Sequence, residues 1–235
     1  MKLRKIFVTV AMLGTMGLAP AATLTFDMGA PFPASGQYTV GAVTMAVSGW
    51  SLAQPISGST SFVSRPVVSY GGYLGVTSPG DIIGGQVQNS QHAVDNAGGY
   101  TEFVLFQFDK PVDPTTLNVE QFNSDSDVDY WTGNLVPGTL AGFSYSDLAA
   151  LASGTDTNSG SRSITLTSGL VTSLIVAADT IGVNDFFKIN YLKVDYNTPP
   201  PPPPPGVPEP ATYATMGGAL VGLALLVARR RKASR

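Results

Sequence analysis

Cysteine is absent from this 235-residue chain. No disulfide framework, thiolate metal site or lipid-modified N-terminal cysteine is therefore available, and the fold must rest on burial alone. Histidine occurs once, as His92, so zinc sites built from His and Cys are excluded as well. A Ser-His-Asp triad would have to use that one residue, and no G-x-S-x-G elbow is present. A G-x-x-x-x-G-K phosphate loop is missing too. No repeat of 20–50 residues recurs, which argues against propellers and solenoids.

Positive charge is scarce where it would matter for nucleic acid. Eight of the 13 basic residues, but only one of the 16 acidic ones, lie in the two ends. The middle is left with five basic and fifteen acidic residues, a net charge of −10. Phosphate backbones need clustered Lys and Arg, so nucleic-acid binding is disfavoured. An acidic surface is compatible with divalent cations, and it keeps an exported domain soluble.

The two ends carry what the middle lacks. Met1-Lys2-Leu3-Arg4-Lys5 precedes an apolar run over residues 6–18, and Ala19-Pro20-Ala21 supplies small residues for cleavage. This is the pattern of a secretory signal peptide over residues 1–21, cut by signal peptidase after Ala21 or Ala22. At the other end, the proline run 199–205 lies in a Pro-rich spacer, residues 198–206, expected to be extended polyproline II. Residues 211–228 follow without a charge. As a helix at about 1.5 Å per residue they reach about 27 Å, enough for a single transmembrane span through the inner membrane. Arg229, Arg230, Arg231 and Lys232 close it as a cytoplasmic basic stop, placing the preceding domain on the far side, where the signal peptide also delivers it.

Val207-Pro208-Glu209-Pro210, then a short apolar helix, then an arginine cluster resembles the PEP-CTERM sorting signal over residues 207–235. The resemblance implies recognition by exosortase, a membrane-embedded transpeptidase of Gram-negative bacteria that make exopolysaccharide. It also implies cleavage near Pro208-Glu209-Pro210 and delivery to the cell surface or extracellular matrix. A permanent single-span anchor is the plain alternative.

Residues 22–197 read as one all-β domain. Leu24 and Phe26 alternate with threonines, and Val43, Met45 and Val47 with small or polar residues. Residues 102–109 make the clearest strand. Leu117, Val119, Ile164, Leu166, Leu174 and Val176 continue the pattern. Residues 186–196 read as a half-exposed closing strand, with Phe187, Ile189 and Tyr191 against Lys188, Asn190 and Lys193. Turn clusters such as Gly71-Gly72 and Ser78-Pro79-Gly80-Asp81 separate the strands. The expectation is an antiparallel β-sandwich, jelly-roll-like. One helical turn is expected at residues 147–152, capped by Ser146 or Asp147.

Two polar segments are candidate sites. Carboxylates at alternate positions, Asp125, Asp127 and Asp129, can converge on calcium if the backbone curls. The full calcium-loop pattern fails, since Tyr130 stands where its glycine belongs and Val136 where its glutamate belongs. A solvated acidic segment is the plainer reading. The second segment, residues 91–96, offers Asp95 and Asn96 either as cation ligands or as turn formers. His92 near Asp95 reads as a loop hydrogen-bonding pair. Residues 92–96, 103–109, Asp125-Ser126-Asp127 and Tyr130-Trp131 together are similar to a set of exosortase-dependent surface proteins, a likeness running from Tyr73 to Gly133. It implies location and fold, and no catalytic residue.

Tyr70, Tyr73, Tyr100, Tyr130 and Trp131 could stack on sugars if they lined one exposed face, although Trp50 and Trp131 fit a core better. Glu102 and Glu120 leave paired-carboxylate glycoside hydrolysis open in principle, but Glu102, at the head of a strand, is expected at the surface. The sequence thus favours a non-catalytic surface or matrix protein associated with exopolysaccharide or biofilm. A calcium-dependent carbohydrate-binding module is the first alternative, and a polysaccharide-acting hydrolase the second.

Overall fold

Alternating apolar residues do set the strands. The structure, a computed structural model, describes residues 21–29, 31–83, 86–87, 93–122, 125–135, 139–182 and 184–197. The signal peptide as far as residue 20, the spacer and the sorting segment with its apolar span all lie outside the described residues. Among the described residues no helix is long and apolar enough to cross a membrane.

The strands in chain order are β1 (Ala22–Asp27), β2 (Gln37–Val40), β3 (Val43–Ala53), β4 (Val63–Arg65), β5 (Val67–Tyr70), β6 (Tyr73–Val76), β7 (Ile82–Ile83), β8 (Gln86–Val87), β9 (Val94–Asp95), β10 (Tyr100–Gln121), β11 (Val128–Gly133), β12 (Ala152–Asp156), β13 (Arg162–Thr165), β14 (Val171–Ala178) and β15 (Phe186–Tyr196). Every pairing between these strands is antiparallel. Thirteen of them hydrogen-bond into one continuous open sheet, and β7 pairs with β8 apart from it. The all-β reading is what the described residues adopt.

The 22-residue strand β10 holds the sheet together by changing partners along its length. Residues 100–108 pair with β3 on one side and residues 103–107 with β14 on the other. Residues 113–121 pair with β15, and residues 116–119 also with β13. The change falls at Lys110-Pro111-Val112-Asp113-Pro114. Proline cannot donate to a ladder, so two of them three residues apart break one set of pairings and release the chain to another. Register shifts bracket this stretch, between Gln107 and Val112 against β14 and between Pro114 and Thr116 against β15.

The main core draws on both sets of strands. Val43, Met45, Val47, Val104, Phe106, Leu174 and Val176 come from β3, β10 and β14. Phe26, Leu74, Leu117, Ile189, Leu192 and Val194 come from β1, β6, the far half of β10, and β15. The arrangement is sandwich-like. A second apolar cluster covers the other face of β3, β10 and β14, where Trp50, Phe103, Leu105, Ile175 and Trp131 meet Leu140 and Leu148. Both tryptophans are buried.

Two local expectations are corrected. In β15 the inward phase slips: Phe187 and Ile189 are buried, then Leu192, Val194 and Tyr196. A β-bulge causes it, because Val119 opposes Ile189 while Asn118 opposes Tyr191, leaving Asn190 unopposed. Lys188, read as an exposed residue, is buried, with its ammonium 4.2 Å from the ring centre of Phe122. The helical turn is a 3-10 turn at Tyr145–Ala150, capped by Ser144 and not by Ser146 or Asp147. Asp147 instead accepts hydrogen bonds from the Ser144 N–H and hydroxyl, which hold its carboxyl below the usual carboxylate range.

Candidate functional site

Strand alternation carries one carboxylate into the interior. Residues 102, 104, 106 and 108 of β10 share a face, and Val104, Phe106 and Phe108 belong to the main core. Glu102 follows them inward and is fully buried, which corrects the expectation of a surface position. Two further acids join it from separate segments. Asp95 ends β9, where its backbone faces Phe186 of β15. Asp81 ends the 3-10 turn Pro79–Asp81, where the Ser78 N–H donates to Asp81 Oδ2 at 2.7 Å. The two turns touch through glycine. A Cβ added at Gly80 would stand 2.7 Å from the Gly98 oxygen, so this close approach needs a residue without a side chain.

Asp81, Asp95 and Glu102 each place one oxygen within 4.8 Å of the others. The Asp95 N–H donates to Glu102 Oε2 at 3.2 Å, and the Ala97 N–H donates to Asp95 Oδ1 at 2.9 Å. That leaves Asp95 Oδ2 and Glu102 Oε1 buried with no hydrogen-bond donor among the described residues. Burial pushes the Asp95 carboxyl up to about 7, and the charge of Asp81 pushes the same way. Burial likewise holds Glu102 well above the usual carboxylate range, with Asp95 and Asp81 adding to it. The charges acting on both groups are all negative. Such a cluster needs protons or a cation inside it.

A second group lies on residues adjacent in the fold. Asp125, Asp127 and Asp185 also offer oxygens within 4.8 Å of one another, with Asp125 and Asp127 half-buried and Asp185 buried. Here the carboxylates are well supplied with donors. Asp125 Oδ1 accepts from the Ser126 N–H at 2.8 Å and from the Ser159 hydroxyl at 3.0 Å. Asp185 Oδ2 accepts from Asn96 Nδ2 at 2.6 Å, and the Asp185 N–H donates back to Asn96 Oδ1 at 2.9 Å. Arg162 stands beside the group, ion-paired with Asp156 and donating to the Ser126 carbonyl and hydroxyl. Burial raises Asp185 to about 6. Asp127 is raised too, by burial and then by Asp125 and Asp179, against the opposing pull of Arg162.

The structure therefore redistributes the residues singled out from sequence. Asp125 and Asp127 stay together and gain Asp185, which sequence reading missed. Asp129 points elsewhere: Oδ1 accepts from the Thr155 hydroxyl at 2.6 Å, and Oδ2 from the Thr180 N–H and hydroxyl. Asp95 joins Asp81 and Glu102, both missed as site residues. Asn96 joins neither group by charge but ties them together, since it follows Asp95 and its side chain binds Asp185 and the Asp179 carbonyl. His92 and the sorting residues Val207, Pro208, Glu209 and Pro210 lie outside the described residues. The signal for Glu102 was present in the sequence as its place in the Glu102-Val104-Phe106-Phe108 face. Asp81 looked like any turn residue.

The aromatic residues do not line one face. Tyr130 packs in the main core and Trp131 in the second cluster, while Tyr70 is exposed. An open groove does run beside Trp131, lined also by Asp129, Tyr145, Thr155, Asp179 and Ile181. Ile181 is 92% exposed at its edge. No protein-family model matches this chain, and no curated protein matches it.

Proposed function

We propose that this chain is an exported, non-catalytic surface or matrix protein, released from the inner membrane by exosortase and associated with exopolysaccharide or biofilm. The observation that carries the reading is the order of motifs in the tail sequence: Val207-Pro208-Glu209-Pro210, an uncharged 18-residue stretch, and Arg229-Arg230-Arg231-Lys232. A basic, apolar and then small-residue N-terminus supports export in the same direction. The acidic domain between them supports a soluble, displayed unit that avoids nucleic acid. We read its two strand sets as a jelly-roll-like sandwich, on the ground that β10 serves both.

The test is expression of the full chain, with an epitope in the 198–206 spacer, in hosts with and without exosortase. With the enzyme, a shorter form lacking the basic tail reaches the outer surface. Without it, or with Pro208, Glu209 and Pro210 replaced by alanine, the full-length form stays in the inner membrane. An identical full-length membrane form in both hosts would instead make the tail a permanent anchor.

The groove beside Trp131 favours a second reading, carbohydrate binding by the displayed domain. An exposed aliphatic edge at Ile181, a half-buried Tyr145 and the Asp179 carboxylate offer apolar contact and hydrogen bonding together. Tyr145→Ala should then weaken retention on exopolysaccharide columns, and unchanged retention would remove this reading.

A further inference from the structure

In the buried trio no cationic side chain among the described residues contributes to Asp95 or Glu102. Three carboxylates from three segments meet in the interior, and two of their oxygens have no donor among the described residues. The other charges that reach Asp95 and Glu102 are negative. Buried charge without a counter-charge is strongly unfavourable, and a fold tolerates it where protons neutralise the groups or a cation completes the site. We propose that Asp81, Asp95 and Glu102 bind one hard divalent cation, calcium by the number and chemistry of its ligands, and that this ion fastens the turn before β7 and the end of β9 to the head of β10.

The ligand chemistry is all oxygen, which suits calcium, magnesium or manganese and not a thiolate or imidazole metal. The number of carboxylates favours calcium, because magnesium usually keeps several waters and takes only one or two carboxylates from the protein. The orphaned oxygens, Asp95 Oδ2 and Glu102 Oε1, are those free to turn to an ion, since Asp95 Oδ1 and Glu102 Oε2 already accept backbone N–H groups. The second carboxylate group is compensated by the chain itself. Its Asp125 and Asp185 oxygens accept from serine, asparagine and backbone donors, with Arg162 alongside. The sequence pattern pointed to the acidic run at residues 125–129; the burial points to Asp81, Asp95 and Glu102.

The test uses the full chain in detergent, stripped with a chelator and then titrated with calcium alone. Calorimetry should count one calcium per chain, and the unfolding midpoint should rise with calcium. Glu102→Gln should weaken binding by about a hundredfold or more, while Asp127→Asn leaves it unchanged. In chelator, Glu102→Gln should unfold at or above the wild-type midpoint, because it removes one buried charge. Amide exchange on the wild-type chain gives the answer without any variant: calcium should slow exchange at Asp95 and Ala97. No calcium uptake at millimolar concentration overturns the proposal. So does uptake that Asp127→Asn abolishes and Glu102→Gln spares, or protection confined to residues 125–129 and Asp185.

Discussion

The two carboxylate groups are joined by consecutive residues, Asp95 and Asn96, yet they meet the same electrostatic demand in opposite ways. Around Asp125, Asp127 and Asp185 the chain supplies the compensation itself, through the Asn96 amide, serine hydroxyls, backbone N–H groups and Arg162. Around Asp81, Asp95 and Glu102 the backbone and a serine donate, but Asp95 Oδ2 and Glu102 Oε1 are left without a donor among the described residues. Two of the first group, Asp125 and Asp127, are half-buried, where water screens part of what the chain leaves unpaired. The second sits in the interior, out of reach of that screening. Local density of acidic residues in the sequence is therefore a poor guide to where a cation is needed. Burial without a partner is the better one.

The largest expected effect is in pH, and it is greater for the buried trio than for the group around Asp185. The Asp95 carboxyl is raised to about 7 in the folded chain, against about 3.9 unfolded. The folded state then binds a proton more tightly than the unfolded one, so stability of the calcium-free chain should fall as pH rises from about 4 through 7, and Glu102, also raised, adds to the fall. Asp95 alone accounts for roughly 4 kcal/mol at most. Asp185, raised to about 6, acts in the same direction. Thermal unfolding across this range should show the fall in chelator and a flatter profile in calcium; a midpoint that rises with pH in chelator would break the comparison.

Next in size is the link between the groups. Asn96→Ala removes the hydrogen bonds to the Asp179 carbonyl and to both the carboxylate and the N–H of Asp185. Buried groups left unsatisfied there should cost about 2–4 kcal/mol in chemical denaturation. Arg162→Ala should cost less, about 1–2 kcal/mol, since Arg162 and Asp156 keep 14% and 19% exposure and water replaces part of what is lost. The smallest effect belongs to the residue the sequence made most conspicuous. Asp127→Asn, half-buried with its charge opposed by Arg162, should stay within about 0.5 kcal/mol of wild type.

Much of the fold was legible in the sequence because period-2 alternation is a direct trace of a sheet with a buried face. Val43, Met45 and Val47, or Leu174 and Val176, face inward as their spacing alone implies. The phase slip in β15 was not legible. A single unopposed residue, Asn190, reverses which side of a strand faces the core, and composition does not mark a bulge. The site was legible in part. Asp95, Asn96, Asp125 and Asp127 stood out by local pattern, whereas Asp81 and Asp185 reach their partners only through long-range pairing: Asp185 lies 60 residues beyond Asp125 and bridges it. Glu102 was misplaced because a charge at the head of a strand ordinarily faces water.

The most direct measurement is the calcium anomalous signal from crystals of the chain grown with calcium. The account predicts a single peak between Asp81, Asp95 and Glu102, at about 2.3–2.6 Å from an oxygen of each. A peak held by Asp125, Asp127 and Asp185, or none at all in calcium-saturated crystals, would contradict it.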